Sequence, residues 1–111
     1  MTITDPIPTK ATLAKYGLKE SEYARMYRAQ NGRCAVCDQI PYGGKLRIDH
    51  EHVPGWAKMQ ATERRLYVRG LLCYLCNRFY LGKGITLQKA EGMVAYLRKY
   101  EFRPIKDLEV L

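Results

Sequence analysis

The stretches that decide the fold are Cys34-Ala35-Val36-Cys37, Asp49-His50-Glu51-His52 and Cys73-Tyr74-Leu75-Cys76-Asn77. The two Cys-x-x-Cys pairs contain all four cysteines of the chain, and the run between them contains both of its histidines. A Cys-x-x-Cys turn places two thiolates on one side of an ion, and a second such turn completes the tetrahedron that zinc prefers. We therefore expect a structural zinc site formed by Cys34, Cys37, Cys73 and Cys76.

The alternatives to a zinc site are two disulfides or four unrelated buried thiols. Cysteines stay reduced in the cytosol, where paired Cys-x-x-Cys spacings favour a metal. Residues 1–10 lack the charged start and apolar stretch of a secretory signal, and no run of about 18 apolar residues predicts a membrane span. We therefore expect a cytoplasmic protein with no membrane partner. Because four cysteines occupy all four ligand positions, the expected zinc leaves none open to water.

The size and charge of the chain favour one small domain that binds a polyanion. The chain has 111 residues and a formal net charge of +8. A core of this size gains stability from a bound metal, and Lys and Arg side chains that neutralise phosphates release counterions and so drive association with nucleic acid. We expect an N-terminal arm with helices over 1–31, a zinc-stabilised core over 32–83, and a C-terminal helix and tail over 84–111.

The spacing of apolar residues predicts a small α+β fold. Alternation of apolar and polar residues predicts short strands over 46–49 and 67–72. Helical periodicity, with a possible extra turn over 61–66, predicts helices over 11–16, 20–30, 74–81 and 86–100. The expected helix ends are Gly17, Asn31-Gly32, Gly82 and Arg103-Pro104, and Thr86 is the expected N-cap of the last helix. That helix carries one apolar stripe, which can pack within the chain or pair two subunits, formed by Leu87, Ala90, Val94 and Leu97.

The run Asp49-His50-Glu51-His52 contains the groups that metal-assisted phosphodiester hydrolysis requires. Mg²⁺ and Mn²⁺ prefer oxygen ligands, which Asp49 and the side-chain carbonyl of Asn77 can supply. A neutral imidazole with a pKa of about 6.5 accepts a proton near neutral pH, so His50 is the candidate general base. His52 can donate to a phosphate oxygen or complete the coordination of the metal. On a basic chain this combination indicates a nuclease that cuts DNA.

Each of these residues also has a simpler interpretation. Asn77 can cap the helix that follows it, His52 can be an ordinary surface histidine, and Glu51 can be a solvated carboxylate. The run is specific because it lies between the two cysteine pairs and because Asn77 directly follows the last cysteine.

Basic residues near the run are candidate contacts to the DNA backbone. Arg47, Arg69 and Arg78 can approach phosphates near the cut, or they can belong to a solvated scatter of charge. The segment 53–67, which carries Trp56, Lys58, Arg64 and Arg65, either touches DNA or is a solvated loop.

The chain resembles the recombination endonuclease VII family of bacteriophages, within the His-Me finger (ββα-metal) nucleases. The matching segments are 16–18, 30–37, 48–52 and 68–77. The resemblance implies a zinc-stapled ββα-metal core with flanking helices. It implies Mg²⁺-dependent hydrolysis of branched DNA such as Holliday junctions by a homodimer. Asp49 and Asn77 would match the catalytic-metal ligands, His50 the general base, and His52 a further active-site histidine.

Two features depart from the pattern of that family, and two other functions stay open. Glu51 stands where aspartate is usual, and the segment 53–67 replaces a shorter link. One alternative function is an HNH-type nicking or packaging-associated endonuclease that acts on ordinary duplex DNA. The other is a zinc-supported DNA-binding module without catalytic activity.

Overall fold

The computed structural model describes residues 6–100, which form four α-helices and one two-stranded sheet. The elements in chain order are α1 (Lys10–Tyr16), α2 (Glu20–Ala29), β1 (Arg47–His50), α3 (Ala61–Arg64), β2 (Val68–Leu72) and α4 (Leu87–Tyr100). Short 3-10 turns lie at 42–44, 56–58, 65–67 and 81–83, and a π-helical turn spans Cys76–Tyr80. The small α+β fold class is therefore confirmed. The expected helix end at Arg103-Pro104 lies outside the described residues.

Helix α1 ends at Gly17 as its sequence predicts, and it begins one residue earlier than predicted. Thr9 caps its start, because the Thr9 side-chain oxygen accepts a hydrogen bond from the Thr12 N–H at 3.2 Å. Gly17 ends it with a φ of 69°, and a Cβ at this position would collide with the carbonyl oxygen of Ala61. This close approach packs the end of α1 against α3.

Helix α2 supplies the largest side chain of the core. Its first turn is capped by Glu22, whose carboxylate accepts from the Lys19 backbone N–H at 2.9 Å. Tyr23 is fully buried, and its hydroxyl donates to the Leu46 carbonyl oxygen at 2.8 Å. Met26 and Tyr27, on the same predicted face, pack against the core. The helix ends at Ala29, and Asn31 and Gly32 both have positive φ, as the predicted exit requires.

The two strands pair antiparallel, and one extra residue interrupts their register. Ile48 lies opposite Leu71, but His50 lies opposite Val68. One residue of β1, Asp49, therefore faces two residues of β2, which is the arrangement of a β-bulge. The core packs beside this sheet, and its buried members are Leu13, Tyr23, Cys34, Leu46, Ile48, Leu71, Leu72 and Cys76.

The chain after β2 differs in detail from the helix predicted over 74–81. Only Tyr74 and Leu75 are α-helical, and the turn then widens into the π-helical stretch Cys76–Tyr80. A Cβ at Gly82 would collide with the carbonyl oxygen of Asn77, so only glycine permits this tight exit. The residues after Cys76 therefore turn back sharply.

Helix α4 lies apart from the core. Thr86 caps it as predicted, with its side-chain oxygen accepting from the Lys89 N–H at 3.2 Å. Its apolar stripe remains exposed, since Leu87, Val94 and Leu97 keep 76%, 45% and 66% of their surface accessible. Of the two outcomes considered for this stripe, packing within residues 6–100 is therefore not observed. None of the helices in this part of the chain is long and apolar enough to cross a membrane.

Candidate active site and metal centre

The four cysteines converge, and their geometry fits a zinc ion. They are free thiols whose Sγ atoms all lie within 4.8 Å of one another. A tetrahedron with metal–sulfur bonds of about 2.3 Å has edges of about 3.8 Å. The Sγ atoms of Cys37 and Cys73, one from each pair, are 3.8 Å apart. The cluster can therefore hold a zinc ion after small adjustments of the side chains.

Burial and hydrogen bonds from backbone N–H groups shift the pKa values of the thiols in opposite directions. The Val36 N–H donates to the Cys34 sulfur at 3.4 Å. Burial raises the pKa of Cys34, but hydrogen bonds from the backbone of Cys37, Cys73 and Val36 outweigh it and lower that pKa to about 7. Burial and the neighbouring sulfurs raise the pKa of Cys76. A metal bound here would therefore displace the proton that the Cys76 thiol otherwise keeps.

The first cysteine pair is attached directly to β2, the strand that leads to the second pair. The Ala35 N–H donates to the Leu71 carbonyl oxygen at 3.1 Å. The Gln30 side chain donates to the same oxygen at 2.9 Å and accepts from the Leu71 N–H at 3.0 Å. These contacts align the end of α2, the first cysteine turn and β2 through protein atoms alone.

Asp49 is a buried carboxylate that is paired with an arginine. Its side chain is 3% exposed, and both of its oxygens accept from Arg69, with Nε to Oδ2 at 2.7 Å and Nη2 to Oδ1 at 3.2 Å. In a regular antiparallel ladder Arg69 would lie opposite His50, and the bulge is what brings it to Asp49. Arg69, a candidate phosphate contact in the sequence, therefore has its guanidinium on the proposed metal ligand.

His50 lies in a stack of rings at the end of β1. Its imidazole stacks on the indole of Trp56, with ring centroids 3.9 Å apart and an interplanar angle of 16°. The His52 ring lies 5.1 Å away and the Tyr16 ring 5.8 Å away. Burial, followed by the electrostatic effect of His52, lowers the pKa of His50. The imidazole is therefore neutral near pH 7 and able to accept a proton.

Arg64 contacts both the ring and the backbone of Trp56. Its guanidinium carbon lies 4.6 Å from the centre of the indole ring. The same side chain donates to the carbonyl oxygens of Trp56 at 3.2 Å, Ala57 at 2.6 Å and Lys15 at 3.2 Å. The sequence predicts that the segment 53–67 touches DNA or is a solvated loop, and neither interpretation includes this packing of Trp56 and Arg64 beside His50.

The aromatic neighbours of His50 carry weak signals in the sequence. Tyr16 belongs to the Tyr16-Gly17-Leu18 segment, whose only signal is its resemblance to the family pattern. Trp56 is the only tryptophan of the chain and follows the Pro54-Gly55 turn shortly after the histidine run. A single large aromatic residue so close to a candidate base was the available indication of a stacking partner.

Asn77 lies in the π-helical turn directly after Cys76, where its N–H donates to the Cys73 carbonyl oxygen at 3.0 Å. The chain then returns towards the histidines, since a Cβ at Gly84 would lie 4.0 Å from Nδ1 of His52. Of the other candidate residues, Arg47 lies over the Tyr74 ring at 5.4 Å, and Arg78 is exposed. The segment after the cysteines therefore borders the site that contains His52.

These features define a small α+β protein that has a four-cysteine cluster, a buried acid and a stacked histidine. The chain belongs to the recombination endonuclease VII family, whose model matches residues 9–99.

Two curated relatives come from phages. The chain is 36% identical over 89 residues to the Gene 59 protein of Mycobacterium phage D29, covering 78% of this chain and 47% of that protein. It is 39% identical over 71 residues to the Gene 59 protein of Mycobacterium phage L5, covering 63% of this chain and 37% of that protein. The chain thus spans less than half the length of these relatives. No solved structure matches it significantly.

Proposed function

We propose that this chain is a divalent-metal-dependent endodeoxyribonuclease that cuts branched DNA such as Holliday junctions. The observation that carries the proposal is the adjacency, at one strand end, of the buried Asp49 carboxylate and the His50 imidazole stacked on Trp56. Membership of the recombination endonuclease VII family supports it. The net charge of +8 supports a DNA partner.

In this proposal His50 is the general base. Burial keeps the imidazole neutral, so one ring nitrogen is free to take a proton from the attacking water. The indole of Trp56 fixes the plane of the His50 imidazole, so that this ring is already oriented for proton transfer. His52, with its ring 5.1 Å from that of His50, is the proposed donor to a phosphate oxygen.

Asp49 and Asn77 are the proposed ligands of the catalytic Mg²⁺ or Mn²⁺. The donor set fits a hard cation, because a carboxylate and a carboxamide both present oxygen. The Asp49 carboxylate already accommodates one positive charge, that of Arg69. When bound, the divalent cation supplies electrostatic stabilisation to the phosphate and to the leaving oxygen. Zinc at the cysteine cluster would have no open coordination position and would support the fold only.

The test is cleavage of a synthetic four-way junction in the presence of Mg²⁺. Wild-type protein should give paired nicks near the branch. Asp49→Ala, His50→Ala and Asn77→Ala should bind the junction but cut it at least about a hundredfold more slowly, since loss of a general base alone costs about 10²–10⁴-fold. The matched control is Glu51→Ala, which removes an exposed carboxylate from the same run and should cut at the wild-type rate.

The same assay separates the alternatives. Equal cutting of linear duplex and four-way junction would favour the HNH-type duplex endonuclease. Tight, salt-sensitive binding with no metal-dependent cutting would favour the non-catalytic DNA-binding module. Cutting at the wild-type rate by both His50→Ala and Asn77→Ala would show that the assignment of the active site is wrong.

We further propose that the protein acts as a homodimer, one active site for each DNA strand. The family supports this, as does the exposed apolar stripe of α4, which has no covering partner among residues 6–100.

A further inference from the structure

We propose that Arg69 is a positioning residue that occupies the cation site on Asp49 in the metal-free protein and is displaced when a divalent cation binds. This inference rests on the proposed function, because it takes Asp49 to be a ligand of the catalytic cation. It concerns what holds that ligand before the cation arrives.

The Asp49 carboxylate is buried and needs a partner. An ionised carboxylate withdrawn from water requires a charged or hydrogen-bonding partner. Asp49 is 3% exposed, and Arg69 is the only side chain of the described part of the chain that donates to it. Without Arg69 the metal-free protein would contain a buried charge with no partner.

The hydrogen bonds from Arg69 engage both oxygens of the Asp49 carboxylate. The two N–H···O bonds form a fork that uses one oxygen each. A small divalent cation would take the same carboxylate oxygens as its ligands, at about 2.0–2.1 Å. A guanidinium and a divalent cation also repel each other, so the two cannot share this side of the carboxylate.

The guanidinium of Arg69 can reach solvent more easily than the carboxylate that it contacts. The Arg69 side chain is 46% exposed, whereas the carboxylate that it contacts is almost fully buried. The guanidinium therefore lies between Asp49 and solvent and can leave without disturbing the core. The extra residue of β2 opposite Asp49 is what allows this placement, because a regular register would direct Arg69 to His50.

The consequence is a penalty on cation binding. Arg69 neutralises Asp49, and its hydrogen bonds must be broken before the cation can take the carboxylate. Removing the guanidinium should therefore tighten binding of the cation by about tenfold, the equivalent of one charge-assisted hydrogen bond. A purely structural arginine would have the opposite effect, since losing it would let the Asp49 side chain rotate away.

The experiment measures Mn²⁺ affinity, by the electron paramagnetic resonance signal of free Mn²⁺, for zinc-loaded protein without DNA. Four proteins are compared, namely wild type, Asp49→Asn, Arg69→Gln and Arg65→Gln. The last is a matched control, because Arg65 also forms a two-point ion pair with a carboxylate, that of Glu22. We expect Arg69→Gln to bind Mn²⁺ about tenfold more tightly than wild type and Arg65→Gln to bind it unchanged.

The outcomes distinguish this inference from the proposed function. If wild type and Asp49→Asn bind Mn²⁺ equally, Asp49 is not a cation ligand and the proposed active site is wrong. If wild type binds better than Asp49→Asn but Arg69→Gln is unchanged or weaker, only the role of Arg69 is overturned.

A second measurement does not depend on the folding of any variant. In wild-type protein the Arg69 Nε–H should give a nuclear magnetic resonance signal that is protected from exchange, because it is hydrogen bonded to Asp49. Saturating Mg²⁺ should move this signal and remove its protection. A signal that stays protected in Mg²⁺ while resonances of Asp49 shift would overturn the proposal.

Discussion

Trp56 is the residue on which the candidate base depends. Its indole contacts both the imidazole of His50 and the guanidinium of Arg64. Its Nε1 is buried and has no hydrogen-bond partner among the described residues. A buried donor without a partner costs free energy, so the tryptophan is useful here for the flat surface of its ring rather than for its N–H group.

Replacing Trp56 separates its contribution to stability from its contribution to the rate of cleavage. Trp56→Ala should lower the free energy of unfolding by about 2 kcal/mol, less than the ~3–5 kcal/mol of a fully buried aromatic, and should slow junction cleavage by about 10–100-fold. Trp56→Phe keeps a ring against His50 and loses no hydrogen bond, so it should cut within about threefold of wild type. Urea denaturation and single-turnover cleavage measure the two effects. Equal rates for Ala and Phe would contradict the stacking role.

At the scale of elements, the Gln30 side chain joins α2 to β2 by hydrogen bonding to the backbone of Leu71, as a neighbouring strand would. Its side-chain amide accepts from the Leu71 N–H at 3.0 Å and donates to the Leu71 carbonyl oxygen at 2.9 Å. It also donates to the Arg33 carbonyl oxygen at 2.7 Å. A primary amide has the same donor and acceptor as a peptide group, so it can pair with the edge of β2.

Gln30→Leu should therefore destabilise the protein by about 2–4 kcal/mol, because it removes all three hydrogen bonds at nearly constant volume. Gln30→Glu retains the bond from the Leu71 N–H, but it places a carboxylate oxygen against the carbonyl oxygens of Arg33 and Leu71 and should therefore destabilise the protein at least as much. Gln60→Leu, at an exposed position, is the control and should stay within about 0.5 kcal/mol of wild type. Urea unfolding at constant zinc concentration provides the measurement, and equal stability of all four proteins would refute this role.

A second link between elements depends on pH. A hydrogen bond from the Arg65 side chain lowers the pKa of Glu22 to about 2. A carboxyl group whose pKa is lower in the folded state stabilises the protein above its unfolded pKa of about 4.5, and this contribution is lost as the pH falls towards 2. The stability difference between wild type and Glu22→Gln should thus be constant from neutral pH down to about 5 and shrink below 4.5. A difference that grows on acidification would contradict the assignment.

At the scale of the whole molecule, the cysteine cluster is part of the core. Cys34 and Cys76 are buried among the apolar side chains of the sheet and α2. A structural zinc in a small domain contributes about 10–16 kcal/mol, which matches or exceeds the ~5–15 kcal/mol total stability of a domain. Metal and fold are therefore expected to be lost together.

Chelation tests this expectation. Zinc-depleted protein should lose its cooperative thermal transition, and stoichiometric Zn²⁺ should restore it where Mg²⁺ does not. Circular dichroism and elemental analysis follow the change, with one zinc expected per chain. A metal-free preparation that unfolds cooperatively at the wild-type temperature would show that the cluster is not a structural metal site.

The exposed stripe of α4 makes the second whole-molecule prediction. Leu97→Asp introduces a charge into the stripe and should convert the proposed homodimer to a monomer in sedimentation velocity experiments. Gln88→Asp introduces the same charge away from the stripe and should remain dimeric. Wild-type protein that is monomeric at every concentration tested would contradict the dimer.

The sequence by itself determined the features that depend on near neighbours. Short patterns were sufficient to predict the end of α1 at Gly17, the N-cap of α4 at Thr86, the positive-φ exit at Asn31-Gly32 and the two cysteine turns, because each requires particular residues at adjacent positions. The convergence of the cysteines also followed, because four ligands of one type imply a common centre.

The tertiary structure alone decided what surrounds the candidate acid and base. The bulge moves the pairing of β2 by one residue and so gives Arg69 to Asp49 rather than to His50. The contact between Trp56 and His50 depends on how Arg64 attaches its segment to the end of α1. Register and long-range packing are set by the balance of contacts over the whole core, and a local pattern of residues carries no record of that balance.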